Sequence, residues 1–134
     1  MGYVEVDDNE LTGAIPEGLC AGGQFHYLTA EHNHLNGSIP AGLANCTTLR
    51  TLDLDNNQLT GDVPEALWTA RQLQFLTLQS NQLTGSLPAA MSTNLKTLHI
   101  GNNQLVYVDD PEHVENSIDF GGNTCSQHAC TLKI

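Results

Sequence analysis

The sequence predicts an α/β solenoid: a right-handed coil of five repeats and a degenerate capping repeat, with a parallel concave sheet and a mostly extended or 3₁₀ convex side. Four columns of residues predict it. Asparagines recur at Asn9, Asn33, Asn57 and Asn81, each 24 residues apart, and again at Asn103 after 22. Two residues after each stands a leucine: Leu11, Leu35, Leu59, Leu83 and Leu105. Four repeats add Gly13, Gly37, Gly61 and Gly85, then Pro16, Pro40, Pro64 and Pro88. Registered columns at one period are the mark of stacked units that bury a continuous core only together.

Each unit reads LxxLxLxxNxLTGxIPxxLxxLxx, with Leu49 to Gln72 as its best copy. The alternation at Leu52/Leu54, Leu76/Leu78 and Leu98/Ile100 predicts a short strand with one face buried, and Val4/Val6 and Leu28/Ala30 repeat it earlier. The asparagine that follows is polar yet points inward. Its amide must therefore bond the backbone of its own turn and of the neighbouring rung. Each proline fixes φ and disfavours a regular helix, so extended or 3₁₀ chain is expected on the convex side.

Residues 1–105 are read as the five repeats, and residues 106–134 as a degenerate sixth repeat and C-terminal cap of the same domain. Val106 to Pro111 replaces the TGxIP segment, but Ile118 to Cys125 still fits LxLxxNxL. Cys125 and Cys130 are expected to close a small disulfide loop, with two free thiols as the alternative. Cys20 and Cys46 read as small core residues, because Cys46 fills a leucine position and Cys20 adjoins one. At the other end the chain opens directly on a strand with Met1 in a leucine position, and since solenoids need polar caps this reads as a fragment or a truncated relative. Glu5, Asp7, Asp8 and Glu10 would blunt that open edge.

The segments Leu11–Pro16, Leu59–Pro64 and Leu83–Pro88 resemble the plant-specific class of leucine-rich repeats. That class occurs in receptor-like kinase ectodomains and in polygalacturonase-inhibiting proteins. Leu19-Cys20-Ala21-Gly22-Gly23 and Leu43-Ala44-Asn45-Cys46-Thr47-Thr48-Leu49 resemble the receptor-kinase repeats most. The resemblance spans about residues 3 to 105. It implies an extracellular (apoplastic) recognition module that binds a peptide or protein on the concave face, either as a monomer or as part of a larger receptor. The alternative it implies is a soluble inhibitor of a cell-wall-degrading enzyme such as polygalacturonase. A minor alternative is ice binding, from the threonine row Thr12, Thr60 and Thr84, which Asn36 interrupts.

Charge narrows the partners. Fifteen acids against four Lys and Arg give a net charge of −11, which opposes binding to nucleic acid and to anionic membrane surfaces. A basic partner is favoured, although solubility alone also accounts for such a charge. The chain has no apolar run of membrane-spanning length and no signal-peptide start, and Val6 excludes an N-terminal myristoylation signal.

Only positions outside the leucine columns are free to carry function. On the concave face the expected ligand-binding set is Tyr27, Glu31, His32, Asp53, Asp55, Phe75, Gln79 and His99. Carboxylates concentrate in the first three rungs, flanked by aromatic anchors that give contact area. Catalysis by Glu31 with Asp53 or Asp55 is disfavoured, since an open sheet lacks a water-excluding pocket. A metal set built from Glu31, His32, His34, Asp7 and Asp55 lacks a recognisable ligand spacing, so neither a metal nor another cofactor is expected. His32 and His99 would make binding pH-dependent in a mildly acidic wall space. Asn36 and Asn45 head glycosylation sequons and fall after the strand, away from the concave face.

Overall fold

The computed structural model describes residues 2–21, 25–88, 91–92, 94–107, 117–119 and 124–125. Short strands β1 (Gly2–Glu5), β3 (Phe25–Thr29), β5 (Thr51–Asp53), β7 (Phe75–Thr77), β9 (Thr97–His99) and β11 (Ser117–Asp119) form one parallel sheet in the order β1-β3-β5-β7-β9-β11. Its register follows the repeat: Leu28 pairs Leu52, which pairs Leu76, which pairs Leu98. Leu52, Leu76 and Leu98 are fully buried, and so are Leu78 and Ile100 two positions further. Each such leucine contributes roughly 2 kcal/mol of burial.

The asparagine column works as the sequence requires. Asn57 Nδ2 donates to the carbonyls of Leu54 and Asp55 in its own turn and to Ala30 in the preceding rung. Its Oδ1 accepts the Leu35 N–H at 3.0 Å. Asn33, Asn81 and Asn103 repeat the pattern one rung apart, so four buried amides tie consecutive rungs.

The other side of the coil is mostly extended chain with a 3₁₀ turn, as expected, and its extended segments pair. Strands β2 (Thr12–Ala14), β4 (His34–Gly37), β6 (Gln58–Asp62) and β8 (Gln82–Thr84) form a second parallel sheet out of the LTG segments. The glycines there hold positive φ, between +73° at Gly37 and +90° at Gly85, which explains their column: a side chain would strain the turn. The prolines then lead into single turns, a 3₁₀ turn at Ala41–Asn45 after Pro40 and an α-turn at Glu65–Trp68 after Pro64. Proline at the entry of a helical turn removes no bond that the turn needs, so it starts these turns instead of forbidding them.

Two findings concern the ends. Cys20 and Cys46 form a disulfide with Cα atoms 5.4 Å apart, which corrects their reading as free core residues. Their 26-residue separation is one repeat plus two, so stacking places them on adjacent rungs. At the first rung Leu11 is 43% exposed, whereas Leu35, Leu59 and Leu83 in the same column are buried. Cys130 lies outside the described residues, and so does the expected Cys125–Cys130 loop.

Candidate binding face

Tyr27, Asp53, Phe75 and His99 come from alternate positions on the six-stranded sheet, the ones the leucines leave pointing away from the core, and Glu31, His32, Asp55 and Gln79 from the turns that follow its strands. Register aligns Tyr3, Tyr27, Thr51, Phe75 and Thr97 in one column, and Glu5, Thr29, Asp53, Thr77 and His99 in the next. Among the described residues the exposed large apolar side chains are Tyr3, Leu11, Tyr27 and Phe75, and three of these four share the first column. Tyr3 stacks on Tyr27 with ring centroids 5.1 Å apart and planes 16° from parallel. Tyr3 was not in the sequence-predicted set. Its place one period before Tyr27 was the signal for it.

The carboxylates converge. One oxygen each from Glu31, Asp53 and Asp55 lie within 4.8 Å of one another. Such a trio can meet a single cation, though three oxygens fall short of the six to eight that Ca²⁺ takes. Burial and then like charge raise the carboxyls of Asp55 and Glu31. Desolvation, with Asp53 next, lifts Asp55 from 3.8 to about 6, against hydrogen bonds from Gln79 that lower it. Glu31 is raised by its own desolvation, then by Asp53, with His32 opposing. The Asp53 Oδ1 accepts the Asp55 N–H at 3.0 Å.

Some of these acids also serve the coil. Asp55, only 5% exposed, accepts the Gln79 N–H at 2.8 Å, and Asp7 accepts the Glu31 N–H at 2.9 Å two periods earlier. Such contacts bridge a strand end to the next rung, and the sequence offered no signal for them beyond the acidic column. His32 sits with φ +54° in a turn column that Asp8, Asn56, Ser80 and Asn102 share. Its Nδ1 lies 3.5 Å from Asp8 and 3.8 Å from Glu31. His34 belongs to the second sheet, so it does not join Glu31, and the mixed metal set considered from sequence is split. His99 lies half-buried on β9, away from the carboxylate trio, and Phe75 borders the trio's rung. Asn36, on β4, and Asn45, at the end of its 3₁₀ turn, are both exposed and off the concave sheet.

A leucine-rich-repeat signature matches residues 24–83, and a two-copy leucine-rich-repeat signature matches residues 71–113. No curated protein matches the chain by sequence. The Arabidopsis receptor kinase HAESA, solved with the peptide hormone IDA and the co-receptor SERK1, superposes with TM-score 0.85 at 28% identity over 93% of this chain. The chain spans 22% of that protein. The leucine-rich-repeat ectodomain of the Arabidopsis thaliana receptor kinase SOBIR1 gives TM-score 0.80 at 28% identity, covering 89% of this chain and 68% of the other. A plant ice-binding protein gives TM-score 0.75 at 26% identity, covering 90% and 41%. Coil, asparagine column and LTG sheet together place the chain in the plant-type leucine-rich-repeat family.

Proposed function

We propose that this chain is a non-catalytic recognition module that binds a peptide or protein on the concave sheet, in the extracellular space. The observation that carries it is the exposed aromatic column Tyr3, Tyr27 and Phe75, standing in register beside the carboxylates. Exposed aromatic rings next to unpaired charge are costly for a surface with no partner and typical of binding anchors. HAESA, of similar fold, is solved with a peptide hormone and a co-receptor, which supports a partner of that class here. The Cys20–Cys46 disulfide supports an oxidising compartment, and we assign Asn36 and Asn45 as glycan acceptors there. A binding array of secreted-type synthetic peptides, read with the wild type and with Tyr27→Ala/Phe75→Ala, tests the reading. Peptides that bind the wild type should be lost on the variant, while circular dichroism stays unchanged. Retention of the same peptides by the variant would sink it.

A second reading rests on a different face. The second sheet is poor in charge: Asp62 is the sole carboxylate in β2, β4, β6 and β8. Thr12 and Thr60 are exposed on it, and a plant ice-binding protein shares the fold. Ice-recrystallisation inhibition that disappears in Thr60→Tyr and survives Tyr27→Ala would favour this reading. Absence of inhibition in the wild type would remove it.

A further inference from the structure

We infer that the concave face carries a slot for one lysine or arginine side chain of an extended peptide, walled by Tyr27 and Phe75, floored by Thr51 and ended by Asp53 and Glu31. The inference rests on the concave-face reading above and names the partner chemistry that this face selects.

Thr51 lies between Tyr27 on one side and Phe75 on the other in the registered column. Neighbouring strands are about 4.8 Å apart, so the two aromatic walls rise from backbones roughly 10 Å apart with a small side chain between them. Tyr27 already presents one ring face to Tyr3, at 5.1 Å and 16°. That stack occupies one ring face and leaves the other for a ligand, and Thr51 is the next residue along the column. Both walls are about two-fifths exposed, Tyr27 at 38% and Phe75 at 39%, so an incoming side chain has apolar surface to cover.

Two residues beyond Thr51 on the same face stands Asp53, and Glu31 and Asp55 place oxygens within 4.8 Å of it and of each other. The slot thus has an aromatic throat and an anionic end. A long aliphatic stem tipped by a cation matches both halves: the stem lies against the rings and the head reaches the carboxylates. Among the described residues no lysine or arginine forms an ion pair with these acids, and His32 Nδ1 lies 3.8 Å from Glu31. The negative potential at the slot end is therefore left for a partner to neutralise. A neutral aromatic or aliphatic ligand side chain would fill the throat and leave that end unanswered.

Selection from a random heptapeptide library against the folded wild-type chain tests this. Retained peptides should carry Lys or Arg at one fixed position, and replacing it with norleucine or citrulline should weaken binding about tenfold or more. Thr51→Trp, which fills the throat and leaves the acids in place, should abolish that preference, as should Asp53→Asn. Unchanged melting temperatures would show that both variants fold. If retained peptides need Tyr27 and Phe75 but have no basic requirement, the slot is overturned and the concave face stands. If they bind the Tyr27→Ala/Phe75→Ala variant equally well, or if none is retained, both fall. A peptide that binds only with added Ca²⁺ would put a metal at the carboxylates and overturn the slot.

Discussion

Asp55 hands its Oδ1 to the backbone N–H of Gln79 at 2.8 Å while lying next to the Asp53 carboxylate, so one buried side chain ties two rungs and crowds two negative charges. Its carboxyl binds its proton more tightly in the folded chain, near 6 against an ordinary 3.8. A raised carboxyl favours the folded state fully below its unfolded value and loses that contribution as pH rises through about 6. Glu31 is shifted in the same direction. Urea unfolding should therefore show greater stability at pH 5 than at pH 7. Asp55→Asn keeps the acceptor for Gln79 and should gain roughly 1–2 kcal/mol at pH 7, flattening the profile. An unchanged pH slope in the variant would refute the assignment to Asp55.

The asparagine ladder predicts a strong position dependence. Asn57→Ala leaves the Leu35 N–H and the carbonyls of Ala30, Leu54 and Asp55 without the side chain that answers them. Buried unanswered groups cost about 1–3 kcal/mol each and relax partly, so a loss of about 3–5 kcal/mol is expected. Asn9 is exposed and donates only to Val6 and Asp7 in its own turn, so Asn9→Ala should cost under about 1 kcal/mol. Denaturant midpoints for the two variants would decide it.

Joining Cys20 to Cys46 closes a 26-residue separation between the first two rungs of the coil. Cys20→Ser/Cys46→Ser should lower stability by about 3 kcal/mol, and a reducing agent should lower the wild type similarly. A further drop when the double variant is reduced would reveal a second bridge and test the Cys125–Cys130 expectation. If reduction leaves the wild-type melting temperature unmoved, the staple contributes nothing.

His32 occupies the left-handed turn column at φ +54°, where the other rungs place Asp8, Asn56, Ser80 and Asn102. Asparagine tolerates that conformation better than histidine, and a β-branched residue tolerates it worst. His32→Asn should be neutral or stabilising by up to about 1 kcal/mol, whereas His32→Val should cost about 1–2 kcal/mol. Thermal melts of both variants separate this backbone role from any loss of ligand binding, which should appear in His32→Asn as well.

Period alone located the rungs, the inward leucines and the bonding duty of Asn57, because every unit faces the same neighbours and must solve the same burial problem. The face of Tyr27, Glu31, Asp53 and Phe75 was legible for the same reason: a strand that turns Leu28 and Leu52 inward has to turn its alternate positions outward. Tyr3, a period earlier in that column, was within reach of the same logic. The second sheet was hidden, since LTG segments carry no alternating apolar pattern and pair only after stacking brings Thr60 beside Gln82.

What the sequence by itself determined, then, is the coil, its core and its concave face. The tertiary structure alone decided that Cys20 meets Cys46, that Asp55 turns from the surface to bridge Gln79, and that Glu31 approaches Asp53. Those relations depend on how far each rung is shifted against the next. That offset follows from packing of whole rungs, which no single repeat encodes.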